Sequence, residues 1–289
     1  MLKYLIALIF LGAPTLAETT TVRLGERHYI IPRPDGVANP PAIVALHGGG
    51  GNPEQFAAAS GLAREGVRAG YAVIFPAGTG RRGDRLLTWN GGYCCGPAAR
   101  RGVDDLGFLA SVIADAGDRF SVDTDRVYMT GMSNGAILAE TFAARFPGRV
   151  RAVAGVAGTM DVTRTPPRGP VPILIIHGTA DTMVPYEGGQ GDTSLTRTDF
   201  ASVEAVAKGF LARWPGTLTV TRRKIDALDD GTSVTLTDYA AKGRIVLRLA
   251  TLVGGAHHWP GGPKSRLKTG KTEEISANAE ILRFFTLHP

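Results

Sequence analysis

The pentapeptide Gly131-Met132-Ser133-Asn134-Gly135 follows the apolar run Tyr128–Thr130 and precedes a helix-forming stretch from Ala136. A serine hydroxyl attacks a carbonyl carbon efficiently only when it is held clear of the backbone beside a base. A sharp strand-to-helix turn does that holding, and it leaves no room for side chains two residues before and after the serine. Gly131 and Gly135 meet this requirement. With 38 glycines in 289 residues, about 0.15 such patterns arise by chance, so the surroundings of Ser133 have to decide.

Three surroundings are needed, in order. The first is a set of backbone N–H donors for an oxyanion. The strand-like Ala42–Leu46 runs into His47-Gly48-Gly49-Gly50-Gly51-Asn52, where glycines let the backbone approach a substrate. The expected donors are the N–H of Gly49 (or Gly50) and that of Asn134. A phosphate loop would carry Gly-Lys-Ser/Thr, which is absent here. The second is a carboxylate after a later strand. Asp181 follows Ile173–Ile176 by a short loop, and Asp161 is its rival. His177 is expected to order that loop by hydrogen bonding. The third is a histidine beyond the last strand, and either His257 or His258 satisfies the spacing. No Cys, Asp or Glu cluster accompanies this pair, so no metal site is expected.

The elements that must position these groups are those of an α/β chain with a mostly parallel central sheet and helices on both faces. Val- and Ile-rich runs at 42–46, 71–75, 126–130, 150–156 and 171–176 suit strands buried on both sides. Helical patterns occupy 56–69, 103–119, 137–146, 202–214 and 275–287, with Ser202 as an N-cap. An opening strand pair is expected at 21–24 and 29–31. Three later strands, 217–225, 233–239 and 244–252, are separated by turn signals and read as partly antiparallel. Asp104 and Asp105 open the 103–119 helix, where capping and charge–dipole roles suffice.

Residues 1–17 have the form of an export signal. Lys3 is followed by the apolar Leu5–Leu11 and a small-x-small site at Thr15-Leu16-Ala17. The apolar run is too short to span a bilayer. Residues 18–289, about 270 residues, then form one domain, secreted or periplasmic, with no stable membrane anchor after cleavage. The net formal charge of +6 is scattered rather than striped, which argues against nucleic-acid binding. The sequence carries no signal for an oligomeric state. Both cysteines are adjacent, Cys94-Cys95; in an oxidising compartment a vicinal disulfide, strained across a trans peptide, is expected, with two free thiols as the alternative.

The order Ser133, Asp181, His257/His258 is the one used by α/β-hydrolases. The chain resembles the polyhydroxybutyrate depolymerase and feruloyl esterase group of that fold, including LpqC-like secreted esterases. The resemblance is carried by Leu46–Asn52, Trp89–Gly96, Val103–Leu109, Gly131–Gly135, His177–Asp181 and Gly254–Gly261. It implies Ser133 as nucleophile, Asp181 as acid and His257 as base, because the family's last motif is similar to Gly-Gly-Gly-His-x-Trp-Pro-Gly. It also implies a serine carboxylesterase that needs no cofactor, acting on small or oligomeric esters. Trp89 and Trp259 would wall the substrate pocket, with His47 and His258 as further pocket candidates. The chain departs from many relatives in lacking cysteines at 214–217. It also ends after its last helix, without the linker and polymer-binding domain of polymer depolymerases. Soluble esters, hydroxyalkanoate oligomers or acylated polysaccharide fragments are therefore expected rather than solid polyester. An acyltransferase on the same fold and a non-catalytic binding homologue are the alternatives.

Overall fold

The computed structural model describes residues 19–289 apart from 81, 82, 84, 195 and 264–268; the leader segment 1–17 lies outside the described residues. The chain begins with β1 (Thr20–Leu24), β2 (Arg27–Ile31) and β3 (Pro41–Leu46). Then follow α1 (Pro53–Ser60), α2 (Leu62–Arg68), β4 (Ala72–Pro76), α3 (Gly96–Arg100) and α4 (Asp105–Phe120). The middle of the chain supplies β5 (Asp123–Met132), α5 (Asn134–Arg145), β6 (Ala152–Val156) and β7 (Ile173–Gly178). The short β8 (Gly189–Gln190) and β9 (Asp199–Phe200) pair with each other. The last elements are α6 (Val203–Leu211), β10 (Leu218–Ile225), β11 (Ser233–Ala241), β12 (Arg244–Val253) and α7 (Ala277–Thr286).

Ten strands make one sheet in the order β1-β2-β4-β3-β5-β6-β7-β12-β11-β10. The six from β4 to β12 pair in parallel. Antiparallel strands finish both edges, β2 and β1 on one side, β11 and β10 on the other. The two core clusters show why the central strands are apolar throughout. Ala42, Val44 and Leu46 of β3 face the helices α4, α5 and α6, whereas Ile43 and Ala45 face α1, α2 and α7. β7 alternates likewise, Ile173 and Ile175 to one side, Leu174 and Ile176 to the other. A strand covered on both faces needs apolar residues at every position, and each large aliphatic side chain so buried contributes about 1.5–3 kcal/mol. On β10, by contrast, six successive residues, 219–224, are exposed. Its Arg222, Arg223 and Lys224 put charge on a free edge, a device that discourages pairing with another sheet.

Most expected elements are present, with three corrections. The helix expected over 56–69 is two helices, because Gly61 sits at φ 69°, closing α1 and opening α2. The five-residue α3 had no periodic signal long enough to be seen. Asp104 does cap α4, accepting from Gly107 N at 2.8 Å, but Asp105 is buried and bonded elsewhere. Ser202 caps α6 by accepting from Ala205 N at 3.1 Å. Among the described residues, no helix is long and apolar enough to cross a membrane.

Candidate active site

Ser133 sits between the last residue of β5 and the first of α5, with φ 55° and ψ −124°. A positive φ is costly for a residue with a Cβ, about 1–3 kcal/mol, and persists only where the surroundings enforce it. They do so here. Ser133 N donates to Val156 O at 2.8 Å. A Cβ on Gly135 would strike the Leu46 carbonyl, one on Gly158 would strike the Ser133 carbonyl, and one on Gly131 would lie 2.5 Å from the Gly135 carbonyl carbon. The two motif glycines are thus required by close backbone approach, as the sequence pattern predicted.

The glycine loop after β3 is held by hydrogen bonds that leave the Gly49 N–H without a partner among the described residues. His47 Nε2 accepts from Gly78 N at 3.0 Å, so the ring proton is on Nδ1, which donates to Gly48 O at 2.8 Å. Gly48 O also accepts from Gly51 N at 3.0 Å, and Gly50 N donates to Leu87 O at 2.7 Å. In a trans peptide the C=O and N–H point in opposite directions. Anchoring Gly48 O therefore aims Gly49 N–H the other way, and the Gly50 N–H is already used. Gly49, not Gly50, is the available donor. Asn134 N is the second, since the first N–H groups of a helix have no intrahelical partner and carry the positive end of its dipole. Burial holds His47 neutral, its pKa pushed down to about 4.

The Asn134 side chain ties these parts together. Its Oδ1 accepts from Trp89 N at 2.7 Å and its Nδ2 donates to Trp89 O at 3.0 Å. Trp89 Nε1 in turn donates to His47 O at 2.9 Å. Asn90 N donates to Asp105 Oδ2 at 2.7 Å, and Asp105 pairs with Arg27 Nη1 at 2.8 Å. Sequence reasoning missed this chain of contacts, because nothing in the spacing of residues 27, 89, 105 and 134 marks them as neighbours.

His257 Nδ1 lies 2.7 Å from Asp181 Oδ2. The carboxylate accepts, so Nδ1 carries the proton and Nε2 is left as the basic nitrogen. Asp181 Oδ1 accepts from Met183 N and Val184 N, each at 2.9 Å, and His177 Nε2 stands 3.4 Å from Oδ2 while donating to Val184 O at 2.8 Å. Burial alone would raise the Asp181 carboxyl. The hydrogen bonds from His177 and His257 outweigh it and hold the group well below the usual carboxylate range. The rival Asp161 instead closes a local turn, accepting from Thr163 N, Thr163 Oγ1 and Arg164 N. His258 is committed to the backbone, with Nδ1 on Ala256 O at 2.9 Å and Nε2 accepting from Thr272 N at 3.2 Å. Burial depresses its pKa, and its ring has no free nitrogen for a substrate.

A cavity of about 360 Å³ opens over Ser133, Asn134 and Gly49, with Leu86, Ile137, Met183, Val184 and Phe200 among its apolar walls. Met183 and Val184, the residues that donate to Asp181, line the cavity that holds Ser133, whereas Asp181 and His257 themselves are not among its lining residues. Among the described residues, the Ser133 hydroxyl makes no hydrogen bond. The four expected pocket residues are not part of this lining. His47 and His258 are buried and fully hydrogen-bonded, and Trp89 is buried beneath the oxyanion loop. Trp259 packs edge-on against Phe56 and donates to Asn278 Oδ1 at 3.0 Å. Adjacency to a motif did not reveal which way each side chain turned. Cys94 and Cys95 are disulfide-bonded to each other, across a peptide that is cis rather than trans, and Cys95 lines the cavity.

The backbone matches that of an acetyl xylan esterase from Aspergillus awamori with a TM-score of 0.63, at 15% identity, over 94% of this chain and 100% of that one. This is the α/β-hydrolase fold, and the chain is a carboxylic ester hydrolase of that class. Residues 27–165 match the model of the family described as Esterase PHB depolymerase. NocK of Nocardia uniformis subsp. tsuyamanensis, named as an esterase, is 29% identical over 271 residues, which are 86% of this chain and 74% of NocK. Feruloyl esterase B of Piromyces equi is 31% identical over 157 residues, 52% of this chain; the match spans only 27% of that larger protein.

Proposed function

We propose that Ser133, His257 and Asp181 form the catalytic triad of an exported serine esterase acting on small soluble esters. Ser133 Oγ attacks the ester carbonyl while His257 Nε2 takes its proton, and His257 later returns that proton to the leaving alkoxide. Asp181 keeps His257 in the required tautomer and stabilises the imidazolium. The N–H groups of Gly49 and Asn134 bind the oxyanion of the tetrahedral intermediate, an interaction worth about 10²–10³ in rate per donor. Water then attacks the acyl-enzyme, with His257 as base, and frees the acid.

The observation that carries this reading is the positive-φ Ser133, flanked by two N–H groups without partners among the described residues and sharing its cavity with the neighbours of Asp181. The cavity lies at the small end of the about 300–1,000 Å³ range of small-ligand sites, which favours a soluble ester or oligomer end over a polymer surface. The likeness to relatives named feruloyl esterase and acetylxylan esterase supports acylated polysaccharide fragments as further candidate substrates. The signal-like residues 1–17 support export. A mature protein starting at residue 18 in the periplasm or medium would establish it.

The direct test combines p-nitrophenyl butyrate hydrolysis with fluorophosphonate labelling. The wild type should turn over and become labelled on Ser133, while Ser133→Ala should lose both. Labelling elsewhere, or undiminished turnover by Ser133→Ala, rejects the assignment. Ester products in place of free acid when a sugar or lipid alcohol is added would reassign the enzyme as an acyltransferase.

A further inference from the structure

The cavity over Ser133 has a dry end and a wet end. Ile137 and Val184 are buried, whereas Leu86 is 73% exposed and marks the mouth. Among the described residues that line it, one is charged: Arg100, the exposed last residue of α3. Its neighbour Arg101 is tied to Gly80 O at 3.2 Å. Arg27, Arg126 and Arg248 are likewise held by carboxylates. Among the described residues, the Arg100 side chain has no hydrogen bond, ion pair or ring contact, and no carboxylate lines its cavity.

An unpaired guanidinium beside apolar walls presents a rigid fork of donors that matches a carboxylate in two parallel hydrogen bonds. Low-dielectric walls concentrate its field at the mouth. The buried end would reject a charge, since an unpaired carboxylate is expensive to bury. A ligand that satisfies both ends has an apolar chain next to the reacting ester and an anionic group at its far end. We propose that Arg100 is a specificity-determining residue that selects esters bearing a carboxylate separated from the ester bond by an apolar chain. The inference rests on Ser133 being the nucleophile of this cavity.

The test uses pairs of substrates that differ only in charge: p-nitrophenyl hydrogen adipate and hydrogen suberate, each against the matching terminal amide. A second pair, acetyl esters of 6-hydroxyhexanoic acid and of its amide, puts the charge on the alcohol side. In at least one pair the wild type should favour the carboxylate member about tenfold in kcat/KM, equivalent to about 1.4 kcal/mol. Arg100→Gln should bring that ratio to about one through a higher KM for the anionic substrate, and Arg100→Lys should recover part of it. Arg145→Gln, which removes a cation at the end of α5, should keep the full ratio. A ratio retained by Arg100→Gln, or lost equally in Arg145→Gln, overturns the inference. If the neutral esters are hydrolysed in a Ser133-dependent way while Arg100→Gln changes nothing, the inference falls and the esterase site stands. If Ser133→Ala hydrolyses the neutral esters as the wild type does, the site reading falls and the inference with it.

Discussion

The two ends of the parallel strands each carry a cavity, and Ser133 lines the smaller one. About 640 Å³ of space lies at the N-terminal ends of the strands, against Asn39, Ile113, Ser121, Thr124 and Arg149. The cavity at the C-terminal ends is about 360 Å³ and contains Ser133. Helix α5 borders both, giving Phe142 to the larger and Asn134 and Ile137 to the smaller. What differs is what the chain does on leaving each strand. At the C-terminal ends β3, β5, β7 and β12 run into loops that deliver Gly49, Ser133, Asp181 and His257, and a helix begins with its free N–H groups facing the cavity. At the N-terminal ends helices finish and strands begin, and among the described residues lining that cavity no serine or threonine lies beside a histidine. Size, then, is a poor guide to function; direction of the chain is a better one.

The sharpest break between the ends should come from the acid–base pair. On p-nitrophenyl butyrate, His257→Ala and Asp181→Asn should each lower kcat by about 10³–10⁴, while His258→Ala should leave kcat within an order of magnitude and lower the melting temperature instead. If His258→Ala proves the dead variant, the base is misassigned. His47→Ala comes next. It strands the buried Gly78 N–H, at about 1–3 kcal/mol, and releases Gly48 O; kcat should fall about 10- to 100-fold with KM little changed. An unaltered kcat would detach His47 from the oxyanion loop.

A smaller effect lies between the two ends, at Glu140 of α5. Its carboxyl is fully buried, accepts from Met160 N at 2.9 Å, and is pushed up to about 8 by burial from an ordinary value of 4.5. Between those pH values the folded protein keeps a proton that the unfolded chain releases, so this group makes stability fall as pH rises from about 4.5 towards 8. Glu140→Gln should match the wild type near pH 5 and melt a few degrees higher near pH 8.5. His47 has the opposite sense. Its folded value of about 4 lies below the ordinary 6.5, so stability is lost as pH falls from 6.5 to 4. The smallest effect is expected at the other end. Ala114→Trp, which places bulk in the larger cavity, should leave ester turnover within about twofold, and a tenfold loss would show that the two ends are coupled.

Much of this was legible in the sequence because backbone chemistry is local. Gly131, Ser133 and Gly135 are adjacent to the turn they create, and the Gly48–Gly51 run announces a backbone that must come close to something. The succession of strands and helices along the chain followed from alternating apolar runs and helical patterns, whereas the order of the strands within the sheet did not. Side-chain direction was not legible. Trp89, Trp259, His47 and His258 sit in the right loops yet face the core, and Asp105 looked like a helix cap while its carboxylate reaches Asn90 and Arg27. Phe200 and Met183 line the cavity through loops whose course has no periodic signature. Gly61 was missed as a helix break because one glycine in an apolar pattern costs only about 1 kcal/mol and is often tolerated.

The strand order also sets a timetable. β12, the last of the parallel strands to be made, lies beside β7, and β7 has waited 66 residues for it at closest, from Gly178 to Arg244. Until β12 joins, Asp181 has no His257 to meet, although Ser133 and the glycine loop are long since synthesised. A chain that lacks β12 therefore keeps Ser133 and the glycine loop but has no strand to carry His257 to Asp181, so the last parallel strand to be made completes the site.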